Sequence, residues 1–427
     1  MKNRLSVRLH GRHIGLLWLK NGGMRFQYAP DATCPISQSL PLGPEVFGEK
    51  ICLAYFDGLL PENDSVRQVI AKKYDIDFRN SFKLLAVLGR DCAGALKFQE
   101  EEEPEIRQDY IKLRAQILAP DELKKLIEAL PVRPFFGQRI SLAGVQEKAA
   151  VCVMDGQIGL PEEDVPTTHI IKTALARFPQ SIQNEYLCMT AAKKLGLQVA
   201  ATEIRQVDGL EFLLVERFDR EIVSTCYAPS ADVASGAKAC DECATCNHDG
   251  QQKCIRLRRI LQEDFAQALG MPASLKYKVS LKQCKQVLDR VVQVAQDKAE
   301  FLRRVIFNYL IGNTDAHGKN FSLAIFGPDL FKLTPAYDLL STAVYREVGL
   351  DLTLAMKIGR AKYAEDVTEH DWELLAEDLD ISYNLIRQEM ARQKKELPLI
   401  LRDLNKKPRW AIGEKIMDYV IRPGQCL

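Results

Sequence analysis

Asp315 and Asn320 stand five residues apart at the end of the segment Asn308–Asn320, N-Y-L-I-G-N-T-D-A-H-G-K-N, and a further carboxylate follows in Tyr337-Asp338-Leu339. These residue types in this order suit metal-assisted phosphoryl transfer. One aspartate orients the attacking hydroxyl, while an asparagine and a second aspartate hold Mg²⁺ against the phosphates. Asp315 is therefore a catalytic candidate, grouped with His317 and Lys319 of the same loop, and Asn320 and Asp338 are metal-ligand candidates. A polar loop satisfied by its own hydrogen bonds would carry the same spacing, so other elements must support the expectation of a kinase active site.

Those elements are legible on both sides. Upstream, Phe301, Leu302, Val305, Ile306, Tyr309 and Leu310 form the apolar face of a helix that delivers the loop. Downstream, strand-like runs at 321–326 and 330–334 flank Gly327-Pro328-Asp329, a hairpin that would return Asp338 towards Asp315. Further upstream, small residues before a β-like run (Ser141, Ala143, Gly144, Val145, Gln146, Lys148) suit a loop whose backbone approaches phosphates, although the Walker spacing is absent. Thr168–Lys172 reads as a strand ending in Lys172, and Glu185 follows on an amphipathic helix marked by Ile182, Tyr186, Met189, Ala192 and Leu195. A strand lysine paired with a helix glutamate positions phosphates in kinases, and in isolation it is also an ordinary salt bridge. Phe212–Asp219 reads as a buried strand ending in polar groups, where a two-lobed kinase has its hinge to adenine.

The chain of 427 residues is long enough for two or three domains. Hydrophobic residues make up 47% and charged residues 27%, which excludes a largely disordered chain. The balance of 58 Lys plus Arg against 57 Asp plus Glu leaves +1, so no global field points to nucleic acid or membrane. The first residues lack an apolar secretion signal and no run is long enough to span a bilayer, so a cytoplasmic location is expected.

In chain order, residues 4–28 predict a three-strand meander, and helices are expected at 49–60, 64–74 (capped by Asp64 or Ser65), 80–88 and 121–130. Beyond Ile255 the pattern predicts helices at Gln262–Leu269 and Leu281–Lys298, then the helix into the Asp315 loop and about three more after His370. The expected domains are 1–105, 106–220, a Cys-rich insertion at 221–256, and a helical unit at 257–427. Within the insertion, Cys240, Cys243 and Cys246 recur every third residue, with Cys254, His248 or Cys226 as a fourth ligand for Zn²⁺. Oxidisable free thiols or an iron–sulfur site fit the same run. No A-P-E motif or phosphosite-bearing activation loop follows Asp338, a departure from eukaryotic protein kinases.

Together, Gly89-Arg90-Asp91-Cys92-Ala93-Gly94-Ala95, Ser141–Lys148, His169–Lys172, Asn184-Glu185, Val215–Arg220, Gln262-Glu263-Asp264, Asn313–Asn320 and Pro335–Asp338 resemble the HipA family of bacterial toxin–antitoxin serine/threonine kinases over nearly the whole chain. The resemblance implies an α+β, two-lobed protein-kinase-like fold with an N-terminal β/α subdomain and an all-helical C-terminal lobe. It implies Asp315 as catalytic base, Asn320 and Asp338 on Mg²⁺, Lys172 on the phosphates of ATP, Glu216 and Phe218 at the adenine hinge, and Gln262 nearby. Ser141 matches the serine whose autophosphorylation switches family kinases off. The implied partners are a protein substrate, such as an aminoacyl-tRNA synthetase, and a small helix-turn-helix antitoxin through which DNA is reached indirectly. The cysteine insertion departs from the family pattern. A small-molecule phosphotransferase and a kinase-shaped co-repressor scaffold are the competing readings.

Overall fold

The computed structural model describes residues 3–100, 110–130, 148–162, 165–226 and 254–422. The expected meander is present: β1 (Arg4–Leu9), β2 (Arg12–Lys20) and β3 (Gly23–Tyr28) pair antiparallel, and β4 (Leu96–Gln99) completes a sheet of order β3-β2-β1-β4. Helices α1 (Glu49–Phe56), α2 (Asp64–Tyr74) and α3 (Ser81–Leu88) lie between β3 and β4. The cap of α2 is Asn63, whose side chain accepts from Ser65 N, one residue earlier than expected.

Next come β5 (Ile111–Lys112), β6 (Ala115–Ile117), α4 (Pro120–Ala129), β7 (Lys148–Met154), β8 (Gln157–Pro161), β9 (His169–Lys172), α5 (Ser181–Lys194), β10 (Thr202–Val207) and β11 (Leu210–Glu216). Strands β6 to β11 build a sheet of order β10-β11-β9-β7-β8-β6. Its apolar face, with Val151, Ile171, Phe212 and Leu214, packs with Leu126, Ile127 and Leu130 at α4, forming a core of its own. Strands β12 (Arg220–Cys226) and β13 (Cys254–Arg259) then pair antiparallel with Cys226 opposite Cys254, so the cysteine insertion is carried on a hairpin. Cys240, Cys243 and Cys246 lie outside the described residues, as do Ser141, Ala143, Gly144, Val145 and Gln146. Among the described residues no group of three His, Cys, Asp or Glu side chains could hold a metal ion, and no helix is long and apolar enough to cross a membrane.

The remainder is mainly helical: α6 (Phe265–Ala268), α7 (Leu281–Leu288), α8 (Val294–Ile311), α9 (Glu369–Leu379), α10 (Tyr383–Leu404) and α11 (Ala411–Val420). It is not all-helical. A sheet of β14 (Leu261–Asp264), β15 (Ser322–Ile325) and β16 (Phe331–Leu333), and a hairpin of β17 (Thr353–Ile358) and β18 (Ala361–Tyr363), are embedded in it. The helix expected over Gln262–Leu269 therefore begins only at Phe265. Asp264 caps it through Gln267 N, and the residues before it pair with β15. The helix expected over Leu281–Lys298 is broken, because Val292 gives its N–H to Phe331 O at the end of the β15–β16 hairpin.

One apolar cluster runs from Leu5, Phe26 and Phe56 of the N-terminal region to Phe265, Phe301, Leu310 and Ile416, so that region shares its core with the helices. Buried polar contacts tie the same parts. Ser37 donates to Glu263 Oε2 at 2.5 Å and Gln38 N donates to Oε1 at 2.9 Å. Burial pushes the Glu263 carboxyl up to about 8, against the lowering effect of those two hydrogen bonds. A carboxyl whose folded value lies above its unfolded value of about 4.3 favours the fold only while it holds its proton, so its contribution is complete below that value and is lost as pH rises through 8. Stability measured by urea unfolding should therefore fall between about pH 5 and pH 8 in the wild type, and Glu263→Gln should flatten that fall. Equal pH slopes in the two proteins would contradict this origin.

Candidate active site

Helix α8 presents buried Phe301, Leu302, Val305, Ile306, Tyr309 and Leu310 to the core and ends at Gly312. Gly312 adopts φ +68°, and a Cβ there would lie 2.6 Å from both Ala343 Cβ and the Tyr419 ring, so glycine serves both conformation and space. The following turn is held by its own side chains. Asn313 donates to Asn308 Oδ1 at 2.9 Å and accepts from Asp315 N at 3.1 Å, while Thr314 N donates to Thr342 Oγ1 at 2.7 Å. Asp315 O in turn accepts from His317 N at 2.8 Å and from Asn320 Nδ2 at 3.0 Å. With its NH₂ committed, Asn320 keeps Oδ1 without a partner among the described residues.

Asp338 arrives by the β15–β16 hairpin. Ala336 bridges to Val199, Tyr337 donates to Lys319 O at 2.7 Å and shares a 2.5 Å hydrogen bond with Ser322 Oγ, and Asp338 takes φ +53°. Its Oδ1 meets Lys172 Nζ at the end of β9, and Lys172 also reaches Glu185 Oε1 on α5 at 2.7 Å. Strand lysine, helix glutamate and second aspartate thus converge. Burial alone would raise the Asp338 carboxyl, but the positive charges of Lys172 and Lys148 bring it down to about 2. Burial likewise opposes the Lys172 ammonium, and Asp338 and Glu185 overcome it, keeping Lys172 protonated. Burial raises the Glu185 carboxyl against the pull of Lys172. Lys148, opposite Lys172 in the β7–β9 register, is lowered to about 8 by burial, with Asp338 opposing the shift and Lys172 adding to it.

The other expected residues separate into two groups. Phe218 stacks on Tyr337 at 5.3 Å between ring centroids and 21° between planes, which joins the end of β11 to the residue before Asp338. Glu216 is exposed at that strand end with its N–H given to Ala201 O, and Gln262 on β14 buries an Oε1 that has no hydrogen-bond partner among the described residues. His317 is buried close to Asp315, its Nδ1 without a partner among the described residues, and burial followed by the Lys276 charge lowers its pKa, favouring the neutral ring. Lys319 is buried in the same loop. Its ammonium meets Asp264 Oδ2 at 2.6 Å, Gly58 O at 3.4 Å and Glu62 Oε1 at 3.8 Å, contacts that brace the loop.

Two residues escaped the sequence reading. Tyr277 donates to Asp315 Oδ1 at 2.7 Å from 38 positions away, and Glu62 pairs with Lys276 at 2.8 Å. Neither stands at a spacing that marks chemistry. Only folding brings them to the loop.

The donor set fits the groups that a phosphotransferase needs. Asn320 Oδ1 and the Asp338 carboxylate are hard oxygen ligands of the kind Mg²⁺ takes. Lys172 and Lys148 supply positive charge for phosphates beside them.

Comparison with known proteins agrees. The model of the HipA-like C-terminal domain matches residues 140–402, and that of the HipA N-terminal domain matches residues 5–99. The chain is 35% identical over 401 residues to Y4mE of Sinorhizobium fredii, covering 90% of this chain and 87% of that protein. It is 27% identical over 386 residues to the serine/threonine-protein kinase toxin HipA of Shewanella oneidensis, covering 85% and 79% respectively. It also superposes with a TM-score of 0.77 and 25% identity on a chain in the solved complex of Shewanella oneidensis HipA, HipB and operator DNA, covering 97% of this chain and 94% of that one. A lysine–glutamate–aspartate cluster facing an Asp-to-Asn loop, in a chain that both family models match, identifies this protein as a member of the HipA family of serine/threonine kinases.

Proposed function

We propose that this chain is an ATP- and Mg²⁺-dependent serine/threonine-protein kinase that acts as the toxin of a toxin–antitoxin pair. The observation that carries the reading is the meeting of Lys172 with Asp338, 166 residues apart in sequence, with Glu185 behind the lysine. Bound Mg²⁺·ATP supplies the phosphoryl group and the charge neutralisation for its transfer. Asp315 accepts the proton of the attacking hydroxyl, Asn320 and Asp338 hold the metal, and Lys172 and Lys148 hold phosphate oxygens. Glu216 and Phe218 border the adenine, with the orphaned Gln262 Oε1 nearby as an acceptor. Ser141 is the proposed autophosphorylation site, where added negative charge beside the ATP phosphates would switch the enzyme off.

The acceptor class that the family supports is a cytoplasmic protein such as an aminoacyl-tRNA synthetase. A small helix-turn-helix antitoxin of the HipB type is the proposed partner, as in the related complex that holds HipB and operator DNA. Purified protein given γ-labelled ATP and Mg²⁺ should label itself and proteins of a cell lysate, and leave a panel of aminoglycosides and sugars unlabelled. Label on the small molecules alone would replace the protein-kinase reading with a small-molecule phosphotransferase.

A further inference from the structure

Tyr277 lies in the 3-10 turn Ala273–Lys278, and its hydroxyl donates to Asp315 Oδ1 at 2.7 Å. Among the described residues it is the one side chain that hydrogen-bonds the Asp315 carboxylate. We propose that Tyr277 is a positioning residue for phosphoryl transfer, fixing the orientation of the Asp315 carboxylate so that Oδ2 is presented to the acceptor hydroxyl. This inference rests on Asp315 being the base.

The physical need is specific. The terminal torsion of an aspartate joins sp³ and sp² carbons and is broad, so a carboxylate held only by its backbone turns freely between orientations. A phenol donating to one oxygen removes that freedom with a charge-assisted hydrogen bond and leaves the second oxygen for substrate. Orientation of reacting groups is where such an enzyme gains much of its rate.

Tyr277 is itself held on two sides. Its ring meets the buried His317 ring edge-on at 5.0 Å and 85°. The preceding Lys276 pairs at 2.8 Å with Glu62 of the N-terminal region, both side chains being nearly buried. Tyr277 is nevertheless 50% exposed, so it stands at the mouth of the site, where an acceptor segment would pass, and not in the core. Burial, the charge of Asp315 and the hydrogen bond to it all raise the phenol's pKa, so it remains a donor at neutral pH.

Tyr277→Phe removes one oxygen and keeps the ring against His317. Measured with labelled ATP as transfer to the enzyme itself and to lysate proteins, its rate at saturating Mg²⁺·ATP should fall about tenfold, the size expected for loss of a hydrogen bond to a charged group. The KM for ATP and the thermal midpoint should stay at wild-type values. An undiminished rate would overturn the proposal, and so would a parallel loss of ATP affinity and thermal midpoint, which is the signature of a structural role. Asp315→Asn is measured alongside: an active Asp315→Asn enzyme removes the base assignment itself, whereas a silent one beside an undiminished Tyr277→Phe removes only the role given to Tyr277.

Discussion

Asp315→Asn should lower phosphoryl transfer about a thousandfold or more while Mg²⁺·ATP binds as in the wild type. The substitution keeps the shape of the side chain and removes the basic oxygen. The turn around it survives, because Asn313, Thr314 and Asn320 hold it through contacts to backbone and neighbouring side chains that do not involve the Asp315 carboxylate. The groups assigned to the nucleotide, Lys172, Glu185 and Asp338, make their contacts among themselves and not with Asp315. A rate loss without an affinity loss is therefore the expected signature, read by comparing labelled-ATP turnover with calorimetric titration of nucleotide. Loss of nucleotide binding to the same degree would mean that Asp315 helps to build the cleft.

Asp91→Ala should destabilise the whole chain by about 3–5 kcal/mol, the usual cost of removing one partner from a buried ion pair. Asp91, Arg217, Asp219 and Arg259 are buried, as is the Arg220 side chain, and the cluster sets three guanidinium groups against two carboxylates. Asp91 meets Arg259 at 2.7 Å and Arg220 at 2.9 Å and accepts from Thr167 Oγ1 at 2.9 Å. Asp219 meets Arg217 at 2.8 Å and Arg220 at 2.9 Å and accepts from Gly94 N at 2.7 Å. Without Asp91, three buried cations would face one carboxylate. Because Phe218 sits between Arg217 and Asp219, the same loss should loosen its stacking on Tyr337 beside Asp338. The denaturant midpoint of Asp91→Ala against wild type tests this, and an unchanged midpoint would show that the cluster is energetically neutral.

The sequence carried the site better than its supports. The meeting of Lys172, Glu185 and Asp338 was legible because the residue types, their order and the elements that deliver them follow what phosphate and metal chemistry would require. The segment Gly89–Ala95, and the charges of Arg217, Asp219 and Arg220 beside the hinge-like strand end, could be matched to a family but not explained. The structure supplies the reason: Asp91 of the first and Arg217, Asp219 and Arg220 of the second neutralise one another across a buried junction. Gln262-Glu263-Asp264 was misread as helix because three polar residues are poor strand formers in isolation. They form a strand since Glu263 is satisfied by Ser37 and Gln38, Asp264 by Lys319, and the backbone by β15. The partners of Lys319, Asp264 and Glu62, are distant in sequence and could not be read from the loop itself.

The most direct measurement is a comparison of host phosphoproteomes after induction of the wild type and of Asp315→Asn. Serine and threonine sites on cytoplasmic proteins should gain phosphate only with the wild type. The same sites rising equally with Asp315→Asn would contradict an active centre built on Asp315.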